Sequence, residues 1–312
     1  MAVGYDEDSM RQRTLLLLLS ISLCACGPTE DSHTKAILGA VLIDGLGGPP
    51  VSDSVVVVAG GRIREAGLRS AVLIPDEADK IDGGGKFVAP ALVDVYAKSA
   101  DADNFTMGHP ATTEAAREQV ARLANRKVSA IHIWKLEPAV AQATLEAARD
   151  AAIPVIGHIS TQAEVRSLVD GGASGFVGMI ADTEELDPAL LARLRDLHIF
   201  FAPALSGGTA PVDVAKRNTR RLFAAGVPIA LASSGGDPIG EAELLVEAGI
   251  PPLDAIVAAT RNGAAALGEL DGVGTVQAGK RADLLLLSAN PGEDIRNLRK
   301  VALRIVDGNV AR

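Results

Sequence analysis

The sequence has few of the residues that nucleic-acid-binding proteins need. Aromatic residues make up only 3% of its 312 residues, and 39 acidic residues outnumber 30 basic ones, for a net charge of −9. Binding to DNA or RNA requires a basic surface, and binding to single strands also requires rings on which bases can stack. We therefore expect no nucleic-acid partner.

Cysteine is nearly absent, and both cysteines lie close to the amino terminus. Cys24 and Cys26 follow Arg11, Arg13 and an apolar run over residues 15–23. This run is too short to span a bilayer, which takes about 20 apolar residues. A basic start, a short apolar core and small residues after it are typical of a secretory signal. The sequence therefore predicts a signal peptide over residues 1–25, starting at Met1 or, after an acidic stretch unusual for such signals, at Met10.

The end of this segment, Leu23-Cys24-Ala25-Cys26-Gly27, resembles a bacterial lipobox. In a lipobox the last cysteine becomes the lipidated first residue of the mature chain. The resemblance implies a lipoprotein of the bacterial cell envelope, facing the periplasm or the exterior, with a tether over residues 26–35 and a membrane anchor on Cys26. A buried helix or a metal-binding cysteine pair is the alternative, although a single intervening residue is poor spacing for a metal.

The rest of the chain shows two kinds of pattern. Residues 36–89 and 268–312 alternate apolar and polar positions around glycine turns such as Gly60-Gly61, which is typical of β-hairpins. Residues 90–267 alternate short apolar runs with segments rich in Ala, Leu, Arg and Glu, which is typical of buried parallel strands and their crossover helices. The sequence predicts β-rich segments at both ends of the chain that flank a βα core.

Several segments carry a family resemblance that spans residues 36–312. The clearest is Gly274-Thr-Val-Gln-Ala-Gly279-Lys280-Arg-Ala282-Asp283, and two earlier ones are Val41-Leu-Ile-Asp44-Gly45 and Pro90-Ala-Leu-Val-Asp94-Val95. These resemble the late, opening and first-barrel-strand segments of the amidohydrolase superfamily, close to its imidazolonepropionase-like and dipeptidase-like members. The resemblance implies an α/β fold: a (β/α) barrel at residues 90–267, with a small β-sandwich formed by both chain ends.

The resemblance also implies one or two divalent metal ions, commonly zinc. They would activate water for attack on a C–N bond at the C-terminal ends of the barrel strands. The family's six ligands are two histidines, a lysine, two further histidines and an aspartate. By position they fall on Tyr96, Lys98, His132, His158, Gly178 and Ser234. Only His158 keeps the family's residue, and His132 is a ligand-capable replacement. We therefore expect no metal, unless zinc binds a rebuilt site containing His132 and His158.

The stretch over residues 97–130 is too short for the whole barrel. A strand–helix–strand unit takes about 30 residues or more, so two further units do not fit before the next recognisable strand. The sequence predicts a truncated barrel in which strands two and three are missing or reduced. An open sheet leaves edges that must be covered or paired, which a homodimer would do.

By resemblance the chain is a lipoprotein hydrolase of C–N bonds, in non-peptide or dipeptide amides, with an eroded metal site and weak or no family activity. Whether it is an enzyme stays open. In a metal-independent hydrolase, Lys98 would polarise a carbonyl and His158 or His132 would act as base. Ser234, or its neighbour Ser233, would be the nucleophile beside His158.

In the same arrangement Asp237 would supply the missing carboxylate. Two further alternatives need no catalysis. The chain is then a binding or scaffold protein, or an anion-binding module in which Lys98 and the two histidines make the cavity positive. In each case the partner is a small molecule in the barrel mouth.

Overall fold

The structure is a computed structural model that describes residues 33–96, 107–207, 211–234 and 236–311. The predicted signal peptide, the Cys26 anchor and Lys98 lie outside these residues. No helix in the described ranges combines the length and the apolarity needed to cross a membrane.

Twelve strands are assigned within the described residues. In chain order they are β1 (Lys35–Leu42), β2 (Val51–Ala59), β3 (Arg62–Leu68), β4 (Asp79–Asp82), β5 (Phe87–Pro90), β6 (Ile131–Trp134), β7 (Val155–Ile159), β8 (Gly175–Gly178), β9 (Phe200–Ala202), β10 (Leu284–Leu287), β11 (Val301–Val306) and β12 (Asn309–Ala311). They form two sheets, one mixed and one parallel.

The helices lie mainly between the parallel strands. They are α1 (Thr113–Asn125), α2 (Pro138–Asp150), α3 (Gln162–Gly171), α4 (Pro188–Asp196), α5 (Val212–Ala224), α6 (Pro238–Glu247), α7 (Pro252–Val257) and α8 (Gly263–Ala266). Their starts follow local sequence signals. Thr161 and Glu164 form a capping box at the start of α3, and Pro138 opens the first turn of α2, where its missing N–H has no cost.

Strands from both ends of the chain form the mixed sheet. Its order is β12-β11-β10-β5-β1-β2-β3, and β4 pairs with the first half of β1. The two ends of the chain meet where β10 pairs antiparallel with β5, with Leu284 opposite Pro90. Gly60 and Gly61 both have positive φ, as the tight turn between β2 and β3 requires. The chain ends thus build one sheet, and the predicted domain boundaries stay predictions.

The parallel sheet has the order β6-β7-β8-β9, and irregular segments form hydrogen bonds with both of its edges. Residues 229–232, predicted as a strand, pair with β9 through one bridge between Phe201 and Ile229. Residues 91–95, also predicted as a strand, are irregular: the Val95 amide donates to the Leu231 carbonyl at 2.9 Å. At the other edge the Met107 amide donates to the His132 carbonyl at 3.0 Å.

One predicted helix, over residues 253–267, is divided in the structure. A π-helical turn at Ala258–Asn262 separates α7 from α8. In this wide turn the Ala259 carbonyl accepts from the Val93 amide at 2.7 Å, and the Asn262 side chain donates to the Ile229 carbonyl at 2.8 Å. Through these two hydrogen bonds, the divided helix holds both irregular strand segments, residues 91–95 and residues 229–232, in place. Such π turns relax the regular helical hydrogen bonding.

Between Val95 and β6 the described residues contain α1 and no strand. Residues 97–106 are not described, so the predicted loss of barrel strands two and three stays a prediction.

Side chains of the parallel strands alternate between two faces, as strand geometry requires. Ile131, Ile133 and Val155 pack with the helices, whereas Ile156 and Val177 point to the opposite face. Two rows of buried side chains therefore form around the sheet. The face that carries Ala130, Ile156 and Val177, away from the helices, is the inner face. His132 lies two residues after Ala130 and His158 two residues after Ile156, so both histidines lie on the inner face.

The inner face is filled partly by Phe200, which takes the space beside Gly175. A Cβ atom on Gly175 would lie 2.1 Å from the Phe200 ring. We predict that Gly175→Ala lowers the free energy of unfolding by about 1–3 kcal/mol, because Phe200 must leave its packed position. Urea unfolding measures this. Gly48→Ala is the matched control, because a Cβ there meets nothing within 4 Å. Equal stability of the two variants would contradict this packing.

Candidate functional site

The two predicted histidines lie side by side on the inner face of the parallel sheet. Nδ1 of His132 on β6 is 3.0 Å from Nε2 of His158 on β7, a hydrogen bond whose donor depends on the tautomers. His132 is only 5% exposed. The buried imidazole of His132 thus has a polar partner in the half-buried His158, as a buried polar group needs.

Burial keeps both imidazoles neutral. It lowers the pKa of His132 to about 4, with a further contribution from the charge of His158, and it lowers the pKa of His158 to about 4 as well. At neutral pH neither ring carries a charge. The anion-binding alternative therefore loses the two positive charges that it assigned to His132 and His158.

Aromatic rings surround the histidine pair. The ring of Tyr96 meets that of His158 edge to face, with centroids 4.9 Å apart, and lies 6.3 Å from His132. The ring of Trp134 lies 6.4 Å from His158 and is 54% exposed, and the Lys135 ammonium lies 5.3 Å from its centre. The histidines are thus covered by a phenol and an indole.

The nucleophile–base alternative expected Ser233 to pair with His158, but its partner in the structure is Asp94. Its hydroxyl donates to Asp94 Oδ2, and its amide donates to Asp94 Oδ1 at 3.0 Å. The Tyr96 amide also donates to Asp94 Oδ1, at 2.9 Å. Asp94 therefore connects the two irregular strand segments and positions Tyr96 beside the histidines.

Ser234 lies away from this hydrogen-bond pattern. A Cβ on Gly207 would be 2.2 Å from both Cβ and Oγ of Ser234, so the serine packs against the loop that follows β9. Among the described residues no hydrogen bond joins it to His132 or His158. Its catalytic role stays a prediction.

Asp237 is held at the start of α6. It accepts from the Gly240 amide at 3.0 Å and from Arg299 at 2.8 Å, and Arg299 also reaches Glu243 at 2.9 Å. The Arg299 hydrogen bond and the helix amides lower the pKa of Asp237. The predicted role of Asp237 as the site's carboxylate stays a prediction, and none of these contacts supports it.

The sequence reasoning missed Glu241, a fully buried carboxylate on α6. It accepts from the amides of Leu205 at 2.6 Å and Ser206 at 2.9 Å. Burial raises its pKa, and the nearby charge of Asp94 adds to the shift. One signal could have found it: Glu241 lies four and seven residues before Leu245 and Ala248, on their apolar helix face.

The described residues do not fit the family's metal site. They contain no group of three or more His, Cys, Asp or Glu residues that could hold a metal ion. Catalytic zinc takes three protein ligands, and His132 and His158 supply two. The proposal that these two would bind zinc in a rebuilt site stays a prediction.

Gly178, which the resemblance places at the family's sixth-strand histidine, has a backbone that does not accommodate a side chain. Its φ is +125°, and a Cβ atom would lie 2.1 Å from the Ile159 carbonyl oxygen. L residues rarely adopt this conformation, and the clash is with backbone rather than with a movable side chain. A histidine cannot be placed here without moving β7 or β8.

The fold is similar to that of several solved hydrolases. Molinate hydrolase matches with a TM-score of 0.74 and 17% identity over 90% of this chain and 95% of that one. A Xaa-Pro dipeptidase with bound methionine gives 0.74 and 18% over 89% and 100%, and ochratoxinase from A. niger gives 0.74 and 15% over 90% and 96%. At these identities the matches establish an amidohydrolase-type α/β fold.

Sequence comparison then gives the family. No curated protein matches this chain significantly in sequence. The profile of the amidohydrolase family matches residues 84–311, so the chain belongs to that family. The predicted superfamily membership is confirmed.

The neutral histidine pair makes stability depend on pH. The unfolded chain binds protons at these imidazoles near pH 6.5, whereas the folded protein binds them only near pH 4. Their contribution is therefore complete above pH 6.5 and is lost as the pH falls towards 4. We predict that the unfolding free energy falls between pH 7 and 5 by up to about 1.4 kcal/mol per pH unit for each histidine.

Urea unfolding across this pH range measures the effect. His158→Gln should reduce the slope by about half, since one titrating group is lost. His198→Asn is the control that removes an imidazole outside the pair, at an exposed position where asparagine tolerates the positive φ. A flat profile for the unmodified protein would contradict the buried neutral pair.

Proposed function

We propose that this chain is an envelope lipoprotein of the amidohydrolase family that has lost the family's metal-dependent hydrolysis and binds a small molecule at the mouth of its parallel sheet. The structurally similar hydrolases support descent from an enzyme that hydrolysed C–N bonds. The main support for the loss of metal-dependent hydrolysis is the backbone at Gly178, where the side chain of a metal ligand has no room.

The histidine pair supports the same conclusion. A general base works best when its pKa is near the working pH, and imidazoles with pKa values of about 4 are weak bases at pH 7. Ser233 is bound to Asp94 rather than to an imidazole, so no described serine is activated by histidine. The groups present favour binding over bond cleavage.

Metal content and turnover test this proposal. The full chain, purified in detergent, should hold less than about one tenth of a metal equivalent and should not hydrolyse a panel of dipeptides, N-acyl amino acids and lactams above a protein-free blank. Near-stoichiometric zinc that is lost in His158→Ala would overturn the proposal. Turnover that survives chelation but not His158→Ala would instead favour the metal-independent hydrolase.

Restoring the lost histidine should fail for a structural reason. We predict that Gly178→His gains no zinc and lowers the unfolding free energy by about 1–3 kcal/mol, because the backbone leaves no space for Cβ. Gly178→Ala is the matched control and should lose a similar amount, since the clash begins at Cβ. A Gly178→His protein as stable as the parent and loaded with zinc would contradict this account.

The envelope location rests on the lipobox-like segment. We predict that Cys26→Ser moves the protein from the membrane fraction to the soluble fraction, because the thiol that accepts the lipid is gone. Cys24→Ser, two residues earlier, is the matched control and should remain in the membrane fraction. Fractionation with immunoblotting measures both. Equal membrane retention of the two variants would contradict an anchor on Cys26.

A further inference from the structure

A small cleft opens between the first turns of α2 and α3, next to His158. Its volume is about 150 Å³. Its apolar lining comes from Ile133, Leu136, Pro138 and Leu168. A cavity of about this size accommodates a benzene-sized group, so the apolar part of a ligand here would be no larger.

Lys135 brings an ammonium to the cleft without a carboxylate partner. Among the described residues its Nζ makes no hydrogen bond or ion pair, and it lies over the face of Trp134, 5.3 Å from the ring centre. Its φ is +49°, which is uncommon for a residue other than glycine. Lys135 directly follows β6, at the end of the strand where βα folds bind ligands.

Glu164 brings a carboxylate to the same cleft. Its Oε2 accepts from the Ser160 amide and hydroxyl and from the Thr161 amide, at 2.7 to 3.1 Å. Its Oε1 has no hydrogen-bond partner among the described residues. Partial burial opposes ionisation, but these hydrogen bonds outweigh it and lower the pKa of Glu164, so the carboxylate is charged at neutral pH.

We infer that this cleft binds a free amino acid with a medium-sized apolar side chain. Lys135 would bind the α-carboxylate, Glu164 Oε1 would bind the α-ammonium, and the apolar wall would cover the side chain. A ligand with one charge leaves either Lys135 or Glu164 unmatched, and a glycine-sized ligand leaves the apolar wall empty. The inference rests on the proposed binding role and gives that role a ligand class.

Trp134 reports on the site directly, because it is the only tryptophan of the chain. A carboxylate that draws the Lys135 ammonium off the indole changes the emission of this one residue. L-Leucine is the probe, titrated into the full chain in detergent and followed by tryptophan fluorescence and calorimetry. The expected Kd is on the order of 1 mM, given so small a ligand.

Three related ligands separate the contributions. Leucinamide lacks the carboxylate, N-acetyl-leucine lacks the ammonium, and glycine lacks the side chain. Each should bind at least about ten-fold more weakly than leucine, a difference of about 1.4 kcal/mol. Equal binding of leucine and leucinamide, or no response to leucine at about ten times the expected Kd, would overturn the inference.

Two variants test the charged residues. Lys135→Met should weaken leucine binding at least about ten-fold, whereas Lys127→Met, at another exposed lysine with positive φ, should not change it. Glu164→Gln should also weaken binding, and it keeps the helix start because glutamine can serve in a capping box. Unchanged affinity in Lys135→Met would overturn the assignment.

The outcomes separate this inference from the proposed function. If the protein is metal-free and inactive but does not bind leucine, the leucine site is refuted and the proposed loss of hydrolysis is not. Leucine binding by a protein that also carries zinc and hydrolyses amides refutes the loss of hydrolysis and leaves the leucine site in place.

Discussion

The inner face of the parallel sheet depends on one hydrogen bond between the buried imidazole of His132 and the half-buried imidazole of His158. An unpaired buried polar group costs about 1–3 kcal/mol, and His132 has almost no access to water. The bond to His158 removes that penalty and joins β6 to β7 through side chains as well as backbone. The fixed His158 ring then provides the surface against which Tyr96 and Trp134 rest.

Hydrogen bonds from side chains and loops satisfy the buried polar groups around this face. Here the imidazoles bond to each other, Asp94 accepts three hydrogen bonds from Ser233 and Tyr96, and Glu241 accepts two from the loop after β9. No buried side-chain polar atom of the described residues lacks a partner.

Much of the fold could be predicted from local sequence. The alternation of apolar runs and helical segments indicated β6 to β9 and their helices, and consecutive parallel strands place His132 and His158 on one face. The long-range partners of Asp94, Glu241 and Asp237 could not be predicted, because they lie 139, 36 and 62 residues away in the chain. Neither could the close approach of Gly178 to the Ile159 carbonyl, because that contact depends on how β7 and β8 pair.

The pairing of β5 with β10 has a consequence for how the chain folds. One edge of β5 pairs with β1, where Phe87 lies opposite Val41, but at its other edge Phe87 meets Leu287 only after the whole βα core. A contact between such distant residues closes a very long loop, which slows folding. During synthesis from the amino terminus, this other edge of β5 stays unpaired until the last strands emerge, and unpaired strand edges attract other chains. The sheet that begins the protein is therefore among the last parts to be completed.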